Sequence, residues 1–335
     1  MGGAASTDRP RIVVLCSQNG PRPAGMGRLA ATFDVDYVTA EGLPAAIPGA
    51  EVLLLWDFFS TAVAEVWDRC ADLQWIHVAA AGVDTLLFDD LADSDVLVTN
   101  ARGVFDRPIA EFVLASLLAF VKDIHRSHDL QRDRVWQHRE TGMLQDRRVL
   151  VVGTGSIGRE TARLLRAVGM QVSGVGRVAR DDDPDFGRIL GSDGLAEHVR
   201  GVPFLVNIAP LTPGTRGLID AAVIDAMPGG FIVNVGRGPT VVANDLLAAL
   251  RTGRLAGAAL DVFDEEPLPV DHPAWTTPGL VISAHMSGDA LGWRDRLAAQ
   301  FVDNAERFAA GRQLRNVVDT RLGYAARPER VEETS

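Results

Sequence analysis

The 335-residue chain contains two cysteines, Cys16 and Cys70, too few for a disulfide framework or a structural zinc site. Lysine is scarcer still: of the 33 basic residues only Lys122 is lysine. It stands beside an apolar helical run with no glycine-rich loop before it, so a P-loop, which needs Gly-Lys-Ser/Thr, is excluded. A Schiff-base mechanism would have to rest on that single residue. Long apolar runs are also missing. The longest, Phe112 to Val121, is far short of the roughly 20 residues that cross a bilayer. The N-terminal stretch MGGAASTDRP has no run of signal-peptide type, so a reducing, cytoplasmic setting is expected. The net charge of −11 argues against broad binding to a phosphate backbone. Neither nucleic acid nor membrane is therefore expected as a partner.

What remains is an ordinary globular composition, 47% apolar and 23% charged, in a length that suits about two domains. Short apolar runs at Arg11 to Cys16, Val52 to Trp56, Trp75 to Ala79 and Val96 to Thr99 read as strands bounded by turn residues. Thr61 to Cys70 and Val83 to Leu91 read as short helices between them. Pro108 suits the first turn of a helix over Ile109 to Asp123. Ile124 to Arg148, rich in His, Arg, Asp and Gln around a lone Trp136, reads as a polar arm. A second block follows, with strands at 149–152, 171–175, 204–208, 231–235, 258–262 and 280–283 and helices at 157–168 and 245–251. The last helix spans Trp293 to Gly311. This alternation predicts an α/β protein with two parallel, doubly wound sheets covered on both faces.

Val149-Leu150-Val151-Val152 runs directly into Gly153-Thr154-Gly155-Ser156-Ile157-Gly158, with an apolar-periodic helix after it. A lone G-x-G-x-x-G is weak, but strand before and helix after are what its mechanism needs. The glycines permit a tight turn, close approach of backbone to a pyrophosphate, and close helix–sheet packing. The helix N-terminus then supplies N–H donors. The next strand ends Val175-Gly176-Arg177-Val178-Ala179-Arg180, without the acidic residue that holds a ribose 2′-OH. Arg177 and Arg180 stand where a 2′-phosphate would lie, so NADP(H) is the expected dinucleotide, with NAD(H) as the alternative. In the competing reading Arg177 solvates a loop and Asp181 to Asp183 contact the ribose.

Three later segments each end a strand on polar residues. Arg237 lies between Gly236 and Gly238, Asp264-Glu265-Glu266-Pro267 follows Asp261, and His285 follows Val281-Ile282-Ser283. An Arg can hold a carboxylate in two parallel bonds. A His can donate a proton to a carbonyl oxygen while a carboxylate on its other nitrogen fixes the tautomer. On spacing alone, a solvated Arg, a core His and a surface Glu pair serve equally well.

Taken together, GTGSIGRETA, NVGRGPTV, LDVFDEEPLPVDHPAW and SAHMSGD resemble the signature segments of the D-isomer-specific 2-hydroxyacid dehydrogenases. AAAGVD at 79–84, NARGVFDRPIAEFVLASLLAF at 100–120 and NVVDTRLGY near the end match further segments of that family in order. The resemblance implies two Rossmann-like or flavodoxin-like domains with the active site in the cleft between them. Residues 1–101 with 287–335 would form the substrate domain. Residues 102–286 would form the dinucleotide domain, with a dimerisation arm near 108–145 and hence a homodimer. Arg237 matches the substrate-binding Arg, His285 the acid/base, and Glu266 its carboxylate partner. Ala81 and Gly82 match the backbone N–H groups that hold the substrate carboxylate, and Asp261 matches a contact to the nicotinamide carboxamide. Cofactor contacts are also expected from Ala209, Pro210, Thr215, Val235, Gly236, His285 and Ser287, with Asn207 and Thr212 as weaker candidates. Many members carry a His two residues before the proline where this chain has Ile208. Trp56 is either a pocket wall, as in some glyoxylate-reductase-like members, or a packed aromatic.

The implied function is reduction of a 2-oxo acid to a D-2-hydroxy acid, in the manner of the NADPH-using glyoxylate and hydroxypyruvate reductases. Two alternatives share the architecture. One is a formate- or phosphite-type dehydrogenase, of which the formate type pairs its His with Gln rather than Glu. The other is a dinucleotide-sensing co-repressor-like binding protein.

Overall fold

A computed structural model describes residues 9–323. Residues 1–8, most of the stretch scanned for a signal sequence, and Tyr324 of the closing segment lie outside them. The chain divides into two compact units, one of the described residues up to Val104 together with those from Leu291, the other spanning Phe105–Ala290.

The first unit is a parallel sheet of β1 (Arg11–Leu15), β2 (Asp34–Val38), β3 (Val52–Leu55), β4 (Trp75–Val78) and β5 (Leu97–Asn100), in the order β2-β1-β3-β4-β5. β3 is a continuous apolar run, and β1 after Arg11 and β4 apart from His77 are apolar too, because layers cover both faces. The expected helix over 61–70 is one α-turn, Ala62–Glu65, and a 3-10 turn, Trp67–Arg69. That over 83–91 shrinks to Asp89–Ala92. β2 (DVDYV) escapes sequence reading because it is an edge strand with acidic residues outward. The helix Trp293–Ala309 returns to this unit and buries Phe301, whose ring stacks on Trp75 with centroids 5.3 Å apart. Trp75 donates to the Thr99 hydroxyl, which also hydrogen-bonds His77 Nδ1, each at 2.8 Å.

The second unit holds β6 (Arg148–Val152), β7 (Gln171–Gly176), β8 (Arg180–Asp183), β9 (Gly187–Gly191), β10 (Phe204–Asn207), β11 (Phe231–Asn234), β12 (Gly257–Leu260) and β13 (Leu280–Ile282). Their order is β13-β12-β11-β10-β6-β7-β9-β8, parallel except for β8 against β9. Strand order reverses between β6 and β10, which creates the crevice where doubly wound sheets bind ligands. The helix Asp106–Val121 buries Ile109, Ala110, Val113 and Leu117.

Two departures from the sequence reading occur here. Residues 124–132 of the polar arm form a helix, which the sequence reading did not assign, with Leu130 as its buried residue, so no apolar stripe betrays it. The following segment is tied back by Arg139, which donates to the Asp123 carboxylate and carbonyl at 2.8 and 2.7 Å. β8 and β9 are also absent from the sequence reading, because RDDD carries no strand pattern.

Candidate active site

Val152 passes into the glycine loop at the carboxyl end of β6, beside β10. A Cβ on Gly158 would lie 2.0 Å from the Gly153 carbonyl oxygen, so the helix Ser156–Ala167 can start tight against the loop only with glycine there. Gly155 differs. It is exposed, and nothing lies within 4 Å of where its Cβ would be. Packing does not require a glycine there, and the space suits a pyrophosphate approaching the backbone. No side chain caps this helix, so its first N–H groups are left for a ligand. The Ser156 hydroxyl donates to Asp106 at 3.1 Å. These features fit a dinucleotide.

β7 ends beside this loop, since a Cβ on Gly176 would lie 3.0 Å from the Thr154 hydroxyl. Arg177 follows it, exposed. Arg180 turns elsewhere: its Nε lies 3.2 Å from Asp183, whose side chain is 1% exposed. Asp183 also receives both Arg159 guanidinium nitrogens, at 3.0 and 2.9 Å. Burial pushes the Asp183 carboxyl up, but Arg159 and the N–H groups of Asp185 and Phe186 outweigh it and bring it down to about 2. Asp183 is thus an internal anchor, not a ribose contact.

At the end of β11 a buried polar network shapes the Arg237 loop. Asn207 donates to Asn234 at 2.9 Å and to Thr240 at 2.6 Å, and Thr240 donates to the Arg237 carbonyl at 2.5 Å. No local sequence pattern points to Asn234 or Thr240, and the buried Asn207 spends its amide N–H groups on them. Gly238 has no room for a side chain: a Cβ would lie 2.0 Å from the Phe263 carbonyl carbon. That contact seats the Arg237 loop against the chain leading to Glu266. Val235 and Gly236 are buried, and Gly236 lies against Ala209. Thr215 spends its hydroxyl on the Pro210 carbonyl at 2.6 Å and takes the Thr212 N–H at 2.8 Å, closing a turn.

Glu266 and His285 meet: Glu266 Oε2 lies 2.7 Å from His285 Nδ1. A carboxylate only accepts, so Nδ1 carries the proton in this bond. The second Glu266 oxygen accepts from the Phe263 N–H at 2.8 Å. Burial alone would raise the Glu266 carboxyl. The His285 bond, the Phe263 N–H and the charges of His285 and Arg237 overcome that and leave it below its usual value. His285 holds a left-handed backbone, φ 51°. Its N–H donates to the Asp261 carbonyl at 2.8 Å, while the buried Asp261 carboxylate accepts from the Ser283 hydroxyl and from the N–H groups of Met286 and Ser287 at 2.9 and 3.0 Å.

In the first unit, the Ala81 carbonyl is held by Asn100 at 2.6 Å. Among the described residues no hydrogen bond takes the N–H of Ala81 or Gly82. Trp56 directly follows β3, with 9% of its surface exposed and its indole N–H donated to the Pro21 carbonyl at 2.8 Å.

A glycine loop at the reversal point of a doubly wound sheet, with Arg237, Glu266 and His285 on loops at the same carboxyl edge, defines a dinucleotide-dependent oxidoreductase. Comparison with known proteins agrees. The family model for the D-isomer specific 2-hydroxyacid dehydrogenase NAD binding domain matches residues 114–287. Glyoxylate/hydroxypyruvate reductase A of Photorhabdus laumondii is 32% identical over 259 residues, covering 75% of this chain and 82% of that relative. A solved D-isomer specific 2-hydroxyacid dehydrogenase from Xanthobacter autotrophicus Py2, in complex with NADPH and MES, is 31% identical at a TM-score of 0.80, covering 94% of this chain and 100% of that one. A family protein from Klebsiella pneumoniae 342 is 31% identical at a TM-score of 0.79, with 95% and 100% covered. The chain belongs to the D-isomer specific 2-hydroxyacid dehydrogenase family and resembles its glyoxylate/hydroxypyruvate reductase A branch. It is therefore an NAD(P)-dependent 2-hydroxyacid dehydrogenase. Among the described residues no helix is long and apolar enough to cross a membrane.

Proposed function

We propose that the protein reduces a small 2-oxo acid to the D-2-hydroxy acid, using NADPH in preference to NADH. The observation that carries this reading is the His285–Glu266 pair, closed at 2.7 Å on the sheet edge that bears the dinucleotide loop. A reduced dinucleotide whose pyrophosphate is held by that loop would supply hydride from its nicotinamide. With Nδ1–H held by Glu266, His285 presents Nε2 as the proton donor to the carbonyl oxygen, a role worth about 10²–10⁴ in rate. Arg237 grips the substrate carboxylate and polarises the carbonyl with a preorganised charge. We assign the Ala81 and Gly82 N–H groups to the carboxylate as well, and the edge of Trp56 to the substrate's side chain.

The NADPH preference rests on Arg177, which follows Gly176 beside the glycine loop. Arg180 supports it less, being drawn to Asp183. We further propose a homodimer built on the arm near 108–145, which carries the fully exposed Trp136 and the exposed Met143. Two buried cysteines with no disulfide suit a reducing, cytoplasmic setting. A glutamate paired with His285 favours carbonyl reduction over formate oxidation.

The test is a panel of glyoxylate, hydroxypyruvate, longer 2-oxo acids, formate and phosphite, each run with NADPH or NADP⁺ and with NADH or NAD⁺. Turnover of a 2-oxo acid with NADPH is expected, and His285→Ala should lower kcat by about 10²–10⁴ with NADPH affinity unchanged. Exclusive turnover of phosphite, or of nothing, would overturn the assignment.

A further inference from the structure

We propose that Ser283 is a positioning residue for His285 and acts through the buried carboxylate of Asp261. The inference rests on the reading of His285 as proton donor and extends it to a residue outside the Arg–Glu–His set. Its starting point is the backbone. His285 sits at φ 51°, a region that a side-chain-bearing residue occupies only when its surroundings hold it there. Glu266 fixes the imidazole at Nδ1 but does not hold the main chain.

The main chain is held by Asp261. Its carbonyl accepts the His285 N–H at 2.8 Å. Its carboxylate accepts the Met286 N–H at 2.9 Å and the Ser287 N–H at 3.0 Å, the two residues directly after His285. From the other side the Ser283 hydroxyl, two residues before His285, donates to the same oxygen as Met286. One carboxylate therefore grips the loop on both flanks of the left-handed residue. Asp261 is 1% exposed, so water cannot replace a lost donor without entering the core.

Without the Ser283 hydroxyl, the carboxylate loses its donor on one flank and is held by the Met286 and Ser287 N–H groups alone. The turn can then relax towards ordinary φ, and the imidazole moves with it, away from Glu266. The effect should fall on kcat more than on dinucleotide affinity, because the glycine loop and Arg177, on which most of that affinity would rest, follow β6 and β7, and the Ser287 N–H keeps its bond to Asp261.

The experiment compares wild type, Ser283→Ala and Ser283→Thr in three measurements. These are kcat and KM for the 2-oxo acid, NADPH Kd by fluorescence titration, and hydrogen exchange of the peptide containing Met286 and Ser287. For Ser283→Ala we expect kcat about 10–100-fold lower, NADPH Kd within twofold of wild type, and exchange of those two amides about tenfold faster. Ser283→Thr, which keeps the hydroxyl, should recover both. A Ser283→Ala variant with kcat and exchange within twofold of wild type would overturn the proposal. So would a loss that appears mainly as a higher NADPH Kd, since the hydroxyl would then serve the cofactor. If wild type reduces no 2-oxo acid, the functional reading fails, and the exchange measurement still decides the clamp by itself.

Discussion

At the end of β7, Arg177 carries the kind of charge a 2′-phosphate needs, while Arg180 is drawn towards Asp183, with its Nε 3.2 Å away. A charge-assisted bond of this kind contributes about 1.5–3 kcal/mol. Arg177→Ala should therefore raise KM for NADPH by about 10–100-fold and leave KM for NADH unchanged. Equal effects on both would place Arg177 outside the phosphate site. A second single-residue consequence concerns acid stability. His77 is fully buried between aromatic rings, and burial pulls its imidazole down to about 3 from 6.5. Above 6.5 it is neutral in both folded and unfolded chains. Between 6.5 and about 3 the unfolded chain takes up a proton that the fold refuses, so stability falls as pH falls. His77→Leu should remove about 1.4 kcal/mol per pH unit of that slope, readable from urea unfolding at several pH values. An unchanged slope would mean that His77 is protonated inside the fold.

Within the β8–β9 hairpin, β8 shows how a strand without apolar residues is kept in place. Its Asp183 and the neighbouring Asp185 are held by Arg159, which reaches over from the helix after the glycine loop. The carboxyl of Asp183 is depressed from 3.8 to about 2, so its contribution is present above about 4 and lost as pH falls towards 2. That corresponds to about 2 kcal/mol. Asp183→Asn should lower stability by this order at neutral pH and by much less near pH 2. A loss of the same size at both pH values would point to packing instead of charge. This hairpin also marks the limit of what the sequence discloses. β6, β10 and β11 are legible because sheets covered on both faces require unbroken apolar runs, and Gly153 to Gly158 because strand, turn and helix are consecutive. Arg237, Glu266 and His285 are legible as strand-end polar residues, though only the family resemblance joins them. RDDD is not legible as a strand, since its stabilisation comes from an arginine on another element. The Asn207–Thr240 contact and the Ser283–Asp261 clamp depend on which strands lie side by side, and no local pattern encodes that.

For the molecule as a whole, the functional assignment implies linkage between ligand and stability. A dinucleotide at about 100 times its Kd should add about 2.7 kcal/mol, so the Tm shift with NADPH should exceed that with an equal concentration of NADH. The reverse order would make NADH the preferred partner. The proposed dimer has its own test: Trp136→Ser should yield a smaller species by analytical ultracentrifugation, whereas a wild-type monomer would leave Trp136 without that role. The chain's discontinuous layout also bears on the order of events during synthesis. Everything that completes the eight-stranded sheet, Phe105–Ala290, leaves the ribosome as one uninterrupted stretch. The five-stranded sheet is made first, yet its Trp75 must wait for Phe301 and Phe308, rings encoded in the last helix, to cover it. The inserted unit can therefore finish folding while the earlier-made one still exposes an aromatic core, which makes the nascent first hundred residues the stretch most in need of a chaperone.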